Sequence, residues 1–145
     1  MSQAELRGRA IRLLARREHT RVELARKLAP HGTAEDIEAV LNSLQDAGLQ
    51  SDSRFAESYV RSYAERFGAA KLRQTLRTKG VDSGLVETEL AATALPDETE
   101  RARTVWARKF GTAPTDAREW ARQARFLQSR GFSTDVIRRI LKEQE

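Results

Sequence analysis

A leucine, a glycine four residues later and a branched apolar residue five beyond that occur three times in this chain. The copies are Leu28–Gly32–Ile37, Leu76–Gly80–Leu85 and Leu127–Gly131–Val136. The glycines stand 48 and then 51 residues apart, across a chain of 145. A period near 50 marks an array of small units, not one irregular core. Units of this size are marginal alone, so neighbours must stack to stay folded. Function is therefore expected on displayed faces, not in one deep pocket.

Helical periodicity fills each unit. In the first, Ala10, Ile11, Leu14 and Ala15 share a face. Thr20-Arg21-Val22-Glu23 fits a capping box that starts a short helix carrying Leu24 and Leu28. Gly32 is expected to stop that helix in the left-handed conformation. Thr33 then caps a third helix with Ile37, Val40, Leu41 and Leu44, ended by Gly48.

The second unit repeats the plan. Ser51 or Asp52 caps a helix with Phe55, Tyr59, Tyr63 and Phe67; Leu72 and Leu76 define the next; Asp82 caps the third, with Leu85, Val86 and Leu90. Pro96-Asp97 marks the joint to the last unit, since proline excludes a continuous helix. There Val105, Trp106 and Phe110 lie on the first helix. Ala117, Trp120, Ala121, Ala124 and Leu127 trace the second, and Ser133 caps a third with Val136, Ile137, Ile140 and Leu141. No segment alternates as a strand does. The fold expected is all-α: three tandem three-helix modules, helix-turn-helix-like, in an elongated, curved array. The modules are expected at 1–48, 49–95 and 96–145.

Charge follows the repeat. Net charge is +5 over residues 1–30, −5 over 31–60, +5 over 61–80, −6 over 81–100 and +6 over 101–145. The modules either attract one another end to end or display separate basic and acidic surfaces. Arg61, Arg66, Lys71, Arg73, Arg77 and Lys79 cluster in the second unit beside one acid, Glu65. Arg73 and Arg77 are one turn apart and project together. In the third, Arg122, Arg125 and Arg130 follow the second helix, and Arg138, Arg139 and Lys142 the last. These twelve residues are the candidate contacts to DNA phosphate or to an acidic protein surface. A groove-reading helix is plausible only in the third module. The third helices of the other two carry Glu35, Asp36, Glu38 and Asp46, and Glu87 and Glu89, which phosphates repel. The four aromatics at helical spacing read as core, with stacking on single-stranded bases beside Arg61 and Arg66 as the alternative.

Chemistry is sparse. With no cysteine, disulfides, thiolate catalysis and cysteine-based zinc sites are excluded. The two histidines, His19 and His31, read as exposed turn residues. His19 and Glu23 lack a third metal ligand, and no glycine-rich loop follows a strand. No enzyme, cofactor or metal is expected. No apolar run nears the ~20 residues of a membrane span, and Met1-Ser2-Gln3-Ala4-Glu5 does not open a secretory signal. A cytoplasmic chain is expected, and a monomer, because no long heptad repeat is present.

One ordered set of motifs resembles a known family. Asp52-Ser53-Arg54-Phe55-Ala56 is followed by Tyr59-Val60-Arg61, Gly68, Leu72, Leu76 and Gly80-Val81. The run from Leu14 to Leu24 and Arg130-Gly131-Phe132 complete it. The set is similar to the RecX family of bacterial RecA regulators. The family's middle-module corner often has two glycines and a proline; here it reads Arg66-Phe67-Gly68-Ala69-Ala70. The resemblance implies binding to the RecA–DNA filament and modulation, mainly inhibition, of RecA ATPase, strand exchange and SOS-related activity. Single- or double-stranded DNA is the implied second partner, met directly or through RecA. The alternative is a direct DNA-binding protein acting through its basic third module.

Overall fold

A computed structural model describes residues 1–144. Nine helices run along the described chain, and no strand is present there. They are α1 (Gln3–Arg16), α2 (Arg21–Leu28), α3 (Ala34–Asp46), α4 (Asp52–Tyr63), α5 (Ala69–Thr78), α6 (Ser83–Ala92), α7 (Glu98–Lys109), α8 (Ala117–Ser129) and α9 (Thr134–Glu143). A 3-10 turn, Ala29–His31, extends α2.

Local side-chain chemistry starts most of these helices. Thr20 Oγ1 accepts from the Glu23 amide while Glu23 accepts from the Thr20 amide, a full capping box. Ser2 and Glu5 make the same box at α1. Thr33, Ser51, Asp82, Asp116 and Ser133 cap α3, α4, α6, α8 and α9. Each such cap is worth about 1 kcal/mol.

The apolar faces close into separate cores, one within each group of three helices. Leu6, Ala10, Leu24, Leu28, Ile37, Val40, Leu41 and Leu44 fill the first. Phe55, Ala56, Val60, Leu76, Val81 and Val86 form the second. Ala102, Val105, Trp106, Leu127, Phe132, Ile137, Ile140 and Leu141 form the third. Full burial of one such leucine or isoleucine is worth ~1.5–3 kcal/mol. In α1 the deep positions are Leu6 and Ala10, whereas Ala15 is exposed.

Between the cores, the second helices of successive groups meet at their ends. The C-terminus of α5 meets the N-terminus of α2. There Thr20 Oγ1 donates to Lys79 O at 2.7 Å, and Val22 packs on Gly80. The C-terminus of α8 meets the N-terminus of α5. There the Gly68 amide donates to Arg130 O at 2.8 Å, and the Lys71 backbone lies on Gly131. Gly80 and Gly131 adopt φ of 92° and 88°, and a Cβ on either would strike the neighbouring unit. The recurring glycine is thus a seam residue as well as a helix stop. Gly32 departs from the expectation. Its φ is −164°, extended backbone, and Leu6 of its own core packs on it. Beside it, the Met1 ammonium donates to His31 O at 3.1 Å.

Polar side chains lock both joints. At the first, the Arg21 amide donates to Asp52 Oδ1 at 2.9 Å, and Gln50 Nε2 bridges Asp52 Oδ1 and His19 O. His19 is not an exposed turn residue; it is 1% exposed. Its Nδ1 faces Arg17 O at 3.1 Å, and its Nε2 faces Lys27 Nζ at 2.9 Å, which suits the neutral ring protonated at Nδ1. Burial pushes the ring's pKa below its ordinary 6.5, and the nearby Arg17 and Lys27 charges push the same way against the bond to Arg17 O. At the second joint Glu98 accepts from the Ala69 amide at 2.8 Å. Arg101, 9% exposed, donates to Ala64 O, Phe67 O and Pro96 O.

Candidate nucleic-acid interface

Residues four apart on a helix share a face, so Phe55, Tyr59 and Tyr63 line one side of α4, with Phe67 just beyond its end. Only Phe55 is buried. Tyr59, Tyr63 and Phe67 are half-buried and open onto a groove of about 770 Å³, which corrects the expectation that all four are core. The reason is which face of α4 is covered. Ala56 and Val60 turn into the core with Phe55, leaving the other rings at its margin. The rings follow one another in series, stacked for Phe55–Tyr59 and tilted for the other two pairs. Their centroids are 6.3 Å apart for Phe55–Tyr59, 4.5 Å for Tyr59–Tyr63 and 6.1 Å for Tyr63–Phe67.

The series continues across the second joint. The Arg130 guanidinium lies 6.0 Å from the Phe67 ring centre and 4.8 Å from that of Phe126. Phe126 meets Phe110 edge-on at 5.4 Å. Three more cations sit over these rings: Arg66 on Tyr63, Lys109 on Phe126 and Arg122 on Phe110, at 5.0 to 5.4 Å. Each such contact contributes ~0.5–1 kcal/mol when exposed. Arg66, Arg108, Lys109 and Arg130 also rim a second depression of about 390 Å³ that shares Phe67 with the first. The result is one aromatic and cationic stripe from α4 to α7 and α8.

The twelve basic residues singled out from sequence fall into distinct situations. Arg66 and Arg130 belong to the stripe. Arg122 does too, but Glu119 holds it through two bonds of 2.8 and 2.9 Å. Those bonds, with Gln123 Nε2 adding another, hold the Glu119 carboxyl down at about 2. Arg73 is likewise engaged by Glu87 at 2.6 Å, and Arg61 by Glu57 at 2.8 Å. Lys79 lies 3.9 Å from Glu23 at the first joint, where Arg17 also holds that carboxylate. Burial opposes ionisation of Glu23, but Arg17, the Thr20 amide and Lys79 outweigh it and lower its pKa. Lys71 sets its backbone and Cβ against Gly131, and its ammonium has no carboxylate within 4.0 Å among the described residues. Arg139 donates to Thr99 Oγ1 at 3.3 Å. Arg77, Arg125, Arg138 and Lys142 are exposed, with no carboxylate within 4.0 Å among the described residues.

The structure adds Arg108, Lys109, Phe110 and Phe126 to the site. Their sequence signal is basic residues next to aromatics in the third unit, and only the fold brings them to Phe67. It also displays Arg9, Arg12 and Arg16 around a shallow depression on α1. Among the described residues, no group of three or more histidines or carboxylates could hold a metal ion. No helix there is long and apolar enough to cross a membrane.

These features define a helical-repeat protein of three helix-turn-helix-like modules, with a basic, ring-lined face crossing one joint. Family models agree unit by unit: the first, second and third three-helix domains of RecX match residues 2–44, 51–90 and 96–141. The chain belongs to the RecX family. It is 53% identical to the regulatory protein RecX of Leptothrix cholodnii, over 97% of this chain and 89% of that one. It is 44% identical to that of Herminiimonas arsenicoxydans, over 99% and 95%. The crystal structure of RecX from Lactobacillus salivarius superposes with a TM-score of 0.82 at 26% identity, covering 98% of this chain and 96% of that one. A second crystal structure of regulatory protein RecX gives 0.84 at 25% identity, covering 97% and 73%. The regulatory role of the family extends to this chain.

Proposed function

We propose that this protein lodges on the RecA–DNA filament and restrains RecA ATPase, strand exchange and SOS-related activity. It acts as a cytoplasmic, non-catalytic monomer with units at 1–48, 49–95 and 96–145. The observation that carries this reading is the basic stripe laid across a locked joint. A filament repeats along its length, and a chain that holds cations from two modules in fixed register can engage several sites at once. Fixed register also lowers the ordering cost of binding. Acidic α3, with Glu35, Glu38 and Asp46, offers the opposite charge to a basic protein surface.

A RecA ATPase assay on single-stranded DNA tests this directly. Added at stoichiometric amounts, the protein lowers ATP turnover, and no effect at that ratio sinks the reading. Arg66→Glu combined with Arg130→Glu relieves the inhibition. Arg73→Gln, which removes an arginine already held by Glu87, changes it little. The alternative, a duplex reader acting through α9, rests on exposed Arg138 and Lys142. It predicts that Arg138→Glu with Lys142→Glu abolishes function while the stripe variants do not.

A further inference from the structure

We infer that the stripe from Phe55 to Phe110 is itself a binding site for single-stranded DNA, with bases stacked on its rings and phosphates held by its cations. The filament reading supplies only the biological setting; the inference concerns the protein alone, without RecA.

Two independent features meet in this stripe. The first is the rings. Tyr59, Tyr63, Phe67, Phe126 and Phe110 are all half-buried, so each keeps surface open to a ligand. Rings that stay partly open in one contiguous row mark a surface for a partner. Phe55 to Tyr63 spans about 12 Å of helix, and the row continues beyond it through Phe67, Arg130 and Phe126. The second feature is charge. Arg66, Arg108, Lys109 and Arg130 lie along the same row, and none has a carboxylate within 4.0 Å among the described residues. Nearby acids are few. Glu18 is taken by Arg54 at 2.6 Å and Glu119 by Arg122 at 2.8 Å, leaving Glu65 on the rim of the second depression.

Single-stranded DNA is the occupant that uses both features. Its phosphates meet the guanidinium and ammonium groups, and its bases offer π faces to rings and to guanidinium planes. A duplex satisfies the cations but keeps its bases paired and stacked, so the rings gain nothing. An acidic protein segment also meets the cations, but its carboxylate side chains bring no π face to stack on the rings. Unspecific stacking carries no base code, so weak sequence preference is expected.

Fluorescence anisotropy of the purified protein tests this with a labelled oligo-deoxythymidine of roughly 12 nucleotides, a length within the site sizes known for single-strand grooves. The comparators are an abasic strand of equal length and charge, and a duplex. The expected order is oligo-deoxythymidine tightest, with the other two weaker. Tyr63→Ala and Phe126→Ala each weaken binding roughly 5- to 150-fold, the range for loss of one stacked base. Tyr63→Phe, which keeps the ring, binds as the parent does. Circular dichroism checks that the variants fold, and the abasic comparison needs no variant. Equal affinity for abasic and normal strands, tighter binding to duplex, or no binding of the single strand overturns the inference. Inhibition of RecA without oligonucleotide binding ends this inference and leaves the filament reading standing. Oligonucleotide binding without any effect on RecA does the reverse.

Discussion

Replacing Gly68 with alanine isolates the strength of the joint between the second and third units. The backbone at Gly68 has φ −78° and ψ 171°, which any residue adopts, so alanine adds no left-handed strain. The added methyl would instead meet the backbone of the neighbouring unit: Gly131 O, with Gly131 C at 2.6 Å and Phe132 N at 2.8 Å. Backbone atoms cannot swing aside as a side-chain tip can, so the joint must open. Overpacking of this kind costs about 1–3 kcal/mol. Losing the 2.8 Å bond from the Gly68 amide to Arg130 O adds about 0.5–1.5 kcal/mol. Alanine is also a poorer helix N-cap than glycine, by up to ~1 kcal/mol. The total is about 2–5 kcal/mol, a fall in melting temperature of roughly 4–20 °C for a chain of this size. Gly48→Ala is the control. Its φ of 73° makes alanine strained, but nothing lies within 4 Å, so it reports the left-handed cost of about 1–2 kcal/mol alone. Urea and thermal denaturation measure both variants, and hydrogen exchange locates the damage. Faster exchange at the Gly68 amide and the first turn of α5 is expected in Gly68→Ala only. A loss no larger than that of Gly48→Ala, with exchange unchanged at α5, would refute the close backbone packing of this joint.

Arg101→Met removes a donor shared by three carbonyls around the end of α4 and the start of α7; it destabilises the chain by about 3 kcal/mol in urea denaturation. Arg101→Lys restores only a minor part, because an ammonium cannot reproduce the planar fork. Buried His19 makes stability depend on pH. Its folded pKa lies below the ordinary 6.5, so above 6.5 both folded and unfolded rings are neutral and its contribution is complete. As pH falls below 6.5 the unfolded chain takes the proton first, and stability is lost progressively down through the folded value. Melting temperatures between pH 8 and pH 5 therefore decline, and His19→Gln flattens that part of the slope.

Much of this molecule was legible where the chemistry is local. Thr20, Thr33, Asp82 and Ser133 cap helices because a hydroxyl or carboxylate reaches amides two or three residues on, and nothing distant decides it. The apolar spacing of Ile37, Val40, Leu41 and Leu44 likewise defines one buried face. What escaped was set by distant neighbours. His19, Gln123 and Arg101 look like surface residues in sequence. They are buried because Lys27, Trp106 and the end of α4 supply their partners. The i, i+4 aromatics of α4 declare a common face, but whether that face is core or groove depends on which elements cover it. Basic residues could be counted in sequence. That Glu87 engages Arg73 and Glu119 engages Arg122, while Arg66 and Arg130 lie over rings, is a property of the fold.

The joint between Gly68 and Gly131 is read by main chain against main chain. Surfaces that recognise each other through their backbones place few demands on the side chains displayed around them. The exposed faces of α3, α6 and α9 can therefore exchange acid for base without disturbing how the units are set. Such a molecule separates two tasks that are usually entangled. Its geometry is written in a few glycines, helix ends and the buried polar side chains at the joints, and its outer charge is written in residues that substitution can change separately.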